Sequence, residues 1–201
     1  MTQAMLRESR WDVVDLHWEH GPSPVQCVFR KGRRGWEPWV LVAESALMNR
    51  VGKSGLGLYA ARRFRRDEFV GRYGGRVIKT FASRDAALAS PECARRVRRG
   101  RDKLITRNAS HGRGVELVDG EDGPPPFLHR INDPRGTRSR SNAELTPGGW
   151  IRVLQRSVPA FDLDVGIDAN IKSELCVSYG SGYWSMMERL GTTADMALEV
   201  D

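Results

Sequence analysis

The chain has 201 residues, a net charge of +7, 40% hydrophobic and 28% charged side chains. This is an ordinary globular composition, long enough to bury roughly 70% of the surface its unfolded form exposes without disulfides or metal. It excludes a collagen-like or wholly disordered chain. The longest apolar runs, such as Val40–Ala43, fall far short of the ~20 residues of a membrane span, so a soluble, intracellular protein without a secretory leader is expected.

In chain order, Trp11 to Trp18 partly alternates and reads as β-structure, GPSP at 21–24 as a turn, VQCVF at 25–29 as a strand and RKGRRG at 30–35 as a basic turn. EPWVLVA is the next strand. GKSGLGLYAARRF follows, then EFVGRYGGRVI, a strand interrupted by Gly74 and Gly75. Residues 81–107 turn rich in Ala and Arg and predict a helical insert in two pieces split by Pro91. Short strands return with VELV and, after a DGEDGPPP loop, FLHRIN. Residues 133–149 read as a long polar loop, WIRVLQ as a strand and SVPAFDLDVGIDAN as an acidic loop. ELCVSYG is the last strand before a short helix around 183–190. Many short strands with one helical insert predict an α+β, mostly β domain of several small sheets.

Cys27, Cys93 and Cys176 are odd in number and lack paired spacing, and His17, His20, His111 and His129 are scattered, so no metal site is expected. GKSG at 52–55 is not a phosphate loop, because Leu47 stands where that motif needs its first glycine. The glycines of SGLGLYA instead suit a backbone that approaches a ligand closely.

Four segments then carry a resemblance. GLGLYAARRFRRDEFVGRYGGRVI looks like the opening glycine block of the SET-domain protein lysine methyltransferases. FLHRINDPRG, with Asn142 beyond it, resembles that family's asparagine-centred block, WIRVLQ the strand that follows, and ELCVSYGSGYW the closing "EEL…YG" block. The likeness spans about residues 50–184, in the family's order. It implies a SET-domain β-fold over 49–190 with the basic helical insert at 81–107, a β-rich N-terminal flank at 1–48 packing on it, and a tail at 191–201. Asp133 replaces the usual histidine, His129-Arg130 replaces an arginine-aromatic pair, and the zinc modules that flank many relatives are absent.

The resemblance implies methyl transfer from S-adenosylmethionine to a protein lysine, expected on a histone, leaving S-adenosylhomocysteine. Tyr179 would be the catalytic tyrosine that orients the amine. Cofactor contacts would fall to Lys53, Ser54, Gly55, Leu56, Gly57, Leu58, Tyr59, Arg130, Asn132 and Tyr179, with Trp184 stacking on the adenine. Tyr73, Val177 and Tyr183 would line the lysine channel, while Glu174 would serve the fold. The rival reading is a catalytically weak or inactive SET-like module that binds chromatin or nucleic acid.

Charge distribution bears on partners. Residues 1–156 carry 30 basic and 17 acidic side chains, residues 157–201 only 2 and 8. This predicts a polyanion on one surface and a cationic ligand on another. The seven cations from Arg95 to Arg107 are the candidates for DNA phosphate contact on a nucleosome, and Asp162, Asp164 and Asp168 for acceptance of a basic tail. A nuclear location is expected, or a cytoplasmic one if the source lacks a nucleus; no feature sets an oligomeric state.

Overall fold

The computed structural model describes residues 11–19, 25–99, 103–109, 112–121, 127–137 and 139–190. The expected turn at 21–24, the tail at 191–201 and most of the DGEDGPPP loop lie outside the described residues. Among the described residues the elements are β1 (Trp11–Leu16), β2 (Val25–Gly32), β3 (Gly35–Glu44), α1 (Ala46–Asn49), β4 (Leu56–Ala60), β5 (Phe64–Arg65), β6 (Phe69–Arg72) and β7 (Arg76–Phe81). They continue with α2 (Arg84–Leu88), α3 (Pro91–Val97), β8 (Leu104–Asn108), β9 (Val115–Asp119), β10 (Ala143–Leu145), β11 (Trp150–Val153), β12 (Ser157–Val158), β13 (Glu174–Leu175) and α4 (Ser181–Arg189). The fold is α+β and mostly β, built of small antiparallel sheets. No described helix is long and apolar enough to cross a membrane.

The chain forms two compact units. The first takes the residues up to Val70, then Arg130–Ala143 and Arg152–Val177; the second takes Gly71–His129, Glu144–Ile151 and the residues from Ser178. The chain changes unit five times, within β6, β10 and β11 and before Arg130 and Ser178.

In the first unit, β1, β2, β3, β4 and β13 form one five-stranded sheet in that order. β1–β3, which lie before residue 49, belong to the same sheet as the glycine block because β3 pairs directly with β4. The basic turn expected at 30–35 shrinks to Arg33 and Arg34, because β2 and β3 pair as far as Gly32 opposite Gly35. Pro38 cannot donate to a ladder and sits at a bulge, where Val28 opposes Val40 but Phe29 opposes Pro38. The extra residue, Trp39, turns inward and its indole Nε1 donates to the Val70 carbonyl at 2.6 Å. Trp18, Tyr59 and Phe161 form the aromatic heart of this unit, with edge-to-face pairs at 5.3 and 5.0 Å. The segment read as an acidic loop holds the short strand β12 and a 3₁₀ helix over Ile167–Lys172.

In the second unit β7, β9 and β8 make an antiparallel sheet in that order. The glycine break before β7 has a steric cause: Gly75 sits at φ 131°, and a Cβ there would lie 2.2 Å from the Asp119 carbonyl oxygen. The helical insert forms as two pieces. Ser83 caps α2, and Ser90 caps α3 with Pro91 in its first turn, where a missing N–H costs nothing. Beyond Val97 the expectation fails, because Leu104–Asn108 is the edge strand β8. FLHRIN also corrects: Leu128–Arg130 is a 3₁₀ turn, not a strand. Tyr183, Met186 and Met187 of α4 stand on one helical face and bury against Leu88, Cys93, Val97, Leu104 and Leu117.

Candidate functional site

In the first unit the glycine block, the asparagine block and the closing strand are joined through one buried carboxylate. Glu174 opens β13 opposite Tyr59 of β4 and is 1% exposed. It accepts hydrogen bonds from Ser45 Oγ (2.6 Å), the Leu47 amide (3.0 Å), Asn132 Nδ2 (3.2 Å) and the Tyr59 hydroxyl (3.2 Å). Ser45 also caps α1, accepting from the Met48 amide at 3.1 Å. Asn132 Nδ2 reaches the Leu56 carbonyl at 3.1 Å and so ties its loop to the glycine block. Burial pushes the Glu174 carboxyl above the usual carboxylate range despite these donors, and burial with the nearby Glu174 raises the Tyr59 hydroxyl.

Gly57 is what makes room for that carboxylate, since a Cβ there would stand 2.6 Å from Glu174 Oε1 and 3.2 Å from Ser45 Cβ. Gly57→Ala is expected to cost about 1–3 kcal/mol by overpacking, read as a lower thermal midpoint with an unchanged fold.

A second asparagine completes the junction. Asn142 Nδ2 donates to the Glu174 carbonyl at 2.6 Å, and its Oδ1 accepts from the Cys176 amide at 2.9 Å. The Val177 amide donates to the Asn132 carbonyl at 2.9 Å, and the Ala143 amide to the Cys176 carbonyl at 3.0 Å. Residues 174–177 thus run between the Asn132 and Asn142 segments, with parallel bridges on both sides. Burial lifts the Cys176 thiol to about 11, so it stays protonated near neutral pH and is no nucleophile.

Among the described residues no three His, Cys, Asp or Glu side chains gather to hold a metal. The loop before β4 offers backbone donors to an anionic group. Residues 53–56 are exposed or half-buried, Gly52 takes φ 68°, and no described group accepts from the Ser54 or Gly55 amides. Two adjacent amides beside Lys53 suit a carboxylate. The Asn132 side-chain amide, by contrast, is engaged inside the protein.

The second unit holds a cavity of about 230 Å³ lined by Arg84, Leu88, Arg107, Thr146, Tyr179 and Tyr183 among others. This is below the ~300 Å³ where drug-sized sites begin, so it admits a side chain rather than a whole cofactor. Tyr179, half-buried, meets the buried Tyr183 ring edge-to-face at 4.9 Å and stacks on Trp184 at 6.2 Å and 23°. Trp184 also meets Tyr183 edge-to-face at 5.2 Å and packs against the core of this unit.

Tyr73 is not among the residues that line the cavity. Its ring lies on Gly120, where a Cβ would come within 2.6 Å of the Tyr73 hydroxyl, and that hydroxyl donates to the Lys103 carbonyl at 3.2 Å. Val177 is buried and Arg130 half-buried in the first unit. Of the expected site residues, the structure brings together Leu56, Gly57, Tyr59, Asn132 and Val177 in one unit, and Tyr179, Tyr183 and Trp184 in the other.

The basic run from Arg95 to Arg107 is divided. Arg96 pairs with Asp119, a fully buried carboxylate, and Arg107 pairs with Glu116 at 2.8 Å, each side chain 9% exposed. Arg101 lies outside the described residues, which leaves Arg95, Arg98 and Arg99 as its exposed described members. Sequence reasoning missed Ser45 and Arg84; the only signal for Ser45 was a capping serine ahead of ALMN. The chain matches no protein-family profile. No curated protein sequence matches it either.

Proposed function

We propose that this chain is an S-adenosylmethionine-dependent methyltransferase acting on a protein lysine, of the kind the SET-domain resemblance implies. One observation carries the reading. The three segments that carry the cofactor half of the resemblance, far apart in sequence, converge on Glu174 and Asn132, with the closing strand held between two asparagines.

When bound, S-adenosylmethionine supplies an electrophilic methyl group. The Ser54 and Gly55 amides and Lys53 would hold its carboxylate end, with the loop fixed from behind by Asn132 on the Leu56 carbonyl. The nucleophile must arrive as a neutral amine, while a free lysine titrates near pKa 10.4. In a cavity walled by Tyr179, Tyr183 and Leu88 the entering amine would give up part of its hydration beside the arginines Arg84 and Arg107, both of which would disfavour the ammonium form and lower that value. The Tyr179 hydroxyl would accept one of the amine's two N–H groups and aim the lone pair, and its ring is braced for this by Tyr183 and Trp184.

Calorimetric titration with S-adenosylmethionine and methyl transfer to core histones and other candidate proteins test the reading together. Tyr179→Phe is expected to keep its fold and bind the cofactor at micromolar level, with turnover lower by about 100-fold or more. No cofactor binding by the folded protein, or undiminished turnover in the variant, would end it. The rival reading, a SET-like binding module, would then take over; Asp133 beside Asn132 and the exposed Arg95, Arg98 and Arg99 favour it.

A further inference from the structure

We propose that the cavity of the second unit selects a lysine flanked by an acidic residue, and that Arg84 is the side chain that reads the acid. The lysine rests on the methyltransferase reading; the acid does not.

Fifteen residues line this cavity, and none is Asp or Glu. Two are arginines, and they are not equivalent. Arg107 is neutralised by Glu116, its direct partner across β8 and β9. Arg84 is exposed at the start of α2, and its Nη2 donates to the main-chain carbonyl of Tyr179 at 3.4 Å, a neutral acceptor. Among the described residues no carboxylate lies within ion-pair distance of its guanidinium. Gly180, at φ 82°, keeps that surface low, since a Cβ there would already touch Arg84 Nη2 at 3.6 Å. The guanidinium is thus anchored at one corner beside the aromatic cavity, with donors left to point outward.

An ammonium-bearing side chain entering this cavity meets one uncompensated positive charge and no negative one. Alone, that is unfavourable. A carboxylate one or two residues from the lysine reverses the sign, because a guanidinium fork holds it with charge-assisted hydrogen bonds. A densely basic tail carries the wrong complement for this wall, whereas a lysine in an acidic stretch carries the right one.

The test is fluorescence anisotropy with labelled nine-residue peptides centred on lysine and flanked on each side by Asp, Ala or Arg, against wild type, Arg84→Ala and Arg84→Glu. Arg84 is exposed, and Glu in a first helical turn is well tolerated, so both variants should fold. Wild type is expected to bind the Asp-flanked peptide about 10-fold tighter than the Arg-flanked one, with the gap narrowing as salt rises. Arg84→Ala should close the gap and Arg84→Glu should invert it. Equal affinity across the flanks, or an order unchanged in Arg84→Glu, overturns the proposal. The Asp-flanked peptide with norleucine for its lysine separates the two readings. If it binds as well as its parent and no peptide is methylated, the methyltransferase reading fails while the recognition of acid by Arg84 stands.

Discussion

Glu174→Ala is expected to lower the thermal midpoint by roughly 6–12 °C. Its loss leaves the Leu47 amide without its acceptor in a buried position, at about 1–3 kcal/mol. It also opens a void beside Gly57, which adds roughly 1 kcal/mol. A sum near 3 kcal/mol converts to that shift at about 2–4 °C per kcal/mol for a chain of this length. Ser45 and Tyr59 can turn their hydroxyls to other acceptors, Tyr59 to the Glu44 carbonyl at 2.7 Å, so they contribute less. The carboxylate also sets a pH dependence. Burial holds its proton more tightly in the folded chain than in the unfolded one, where the ordinary value near 4.3 applies. Between those two values the folded state binds more protons, so stability falls as pH rises. The Glu174 contribution is therefore full below about pH 4 and is lost as pH climbs through the raised folded value. Urea midpoints of wild type and Glu174→Gln across pH 4–8 should show this downward slope in wild type and its absence in the variant, which cannot titrate. A parallel pair of curves would mean that Glu174 titrates alike in both states.

Local pattern made much of the fold legible, and partnership did not. VQCVF and WVLVA are β-branched and apolar at strand lengths, and β2 and β3 follow. Ser83, Ser90 and Pro91 mark two helix starts, and α2 and α3 begin there. FLHRIN misleads because its apolar residues suit a strand of that length. Yet Phe127, Leu128, His129, Ile131 and Asn132 are all buried, so no alternation marks the segment, and a short buried apolar run does not tell a strand from a helical turn. The basic insert misleads in the same way: Arg and Lys between 95 and 107 suggest one solvated face, whereas Arg96 and Arg107 are spent on buried acids. Glu174 was legible as a residue of the fold but its partners were not, since Ser45 lies 129 positions away and Asn132 lies 42. The resemblance led to the Tyr179–Trp184 cluster, which forms as a cluster; it also aligned Tyr73 with a channel, while the ring lies on Gly120. Arg84 has no local signature at all, because what distinguishes it is the lack of an acid around a cavity built from distant segments.

Arg107 and Glu116 give the largest single-residue effects expected in the second unit. They face each other across β8 and β9, with Nε to Oε2 at 2.8 Å and both side chains 9% exposed. Arg107 Nη1 also donates to the Tyr73 carbonyl at 3.1 Å, and its aliphatic stem fills the space above Gly149, where a Cβ would come within 2.9 Å of Arg107 Cδ. Removing either partner strands the other charge in a site with little water. Arg107→Met and Glu116→Leu are each expected to cost roughly 3–5 kcal/mol, a large share of the 5–15 kcal/mol that keeps a domain folded. The double variant removes both charges together and keeps most of the packed volume. It should lose only about 1–2 kcal/mol, chiefly for the lost hydrogen bond from Arg107 to the Tyr73 carbonyl. Denaturant unfolding of the four proteins closes the cycle, and the double variant should be more stable than either single one. Additive losses would mean that water reaches the pair and screens it, so that the wall it forms beneath the cavity is wet rather than dry. In that case the lowered lysine pKa proposed for the cavity would lose its physical cause as well.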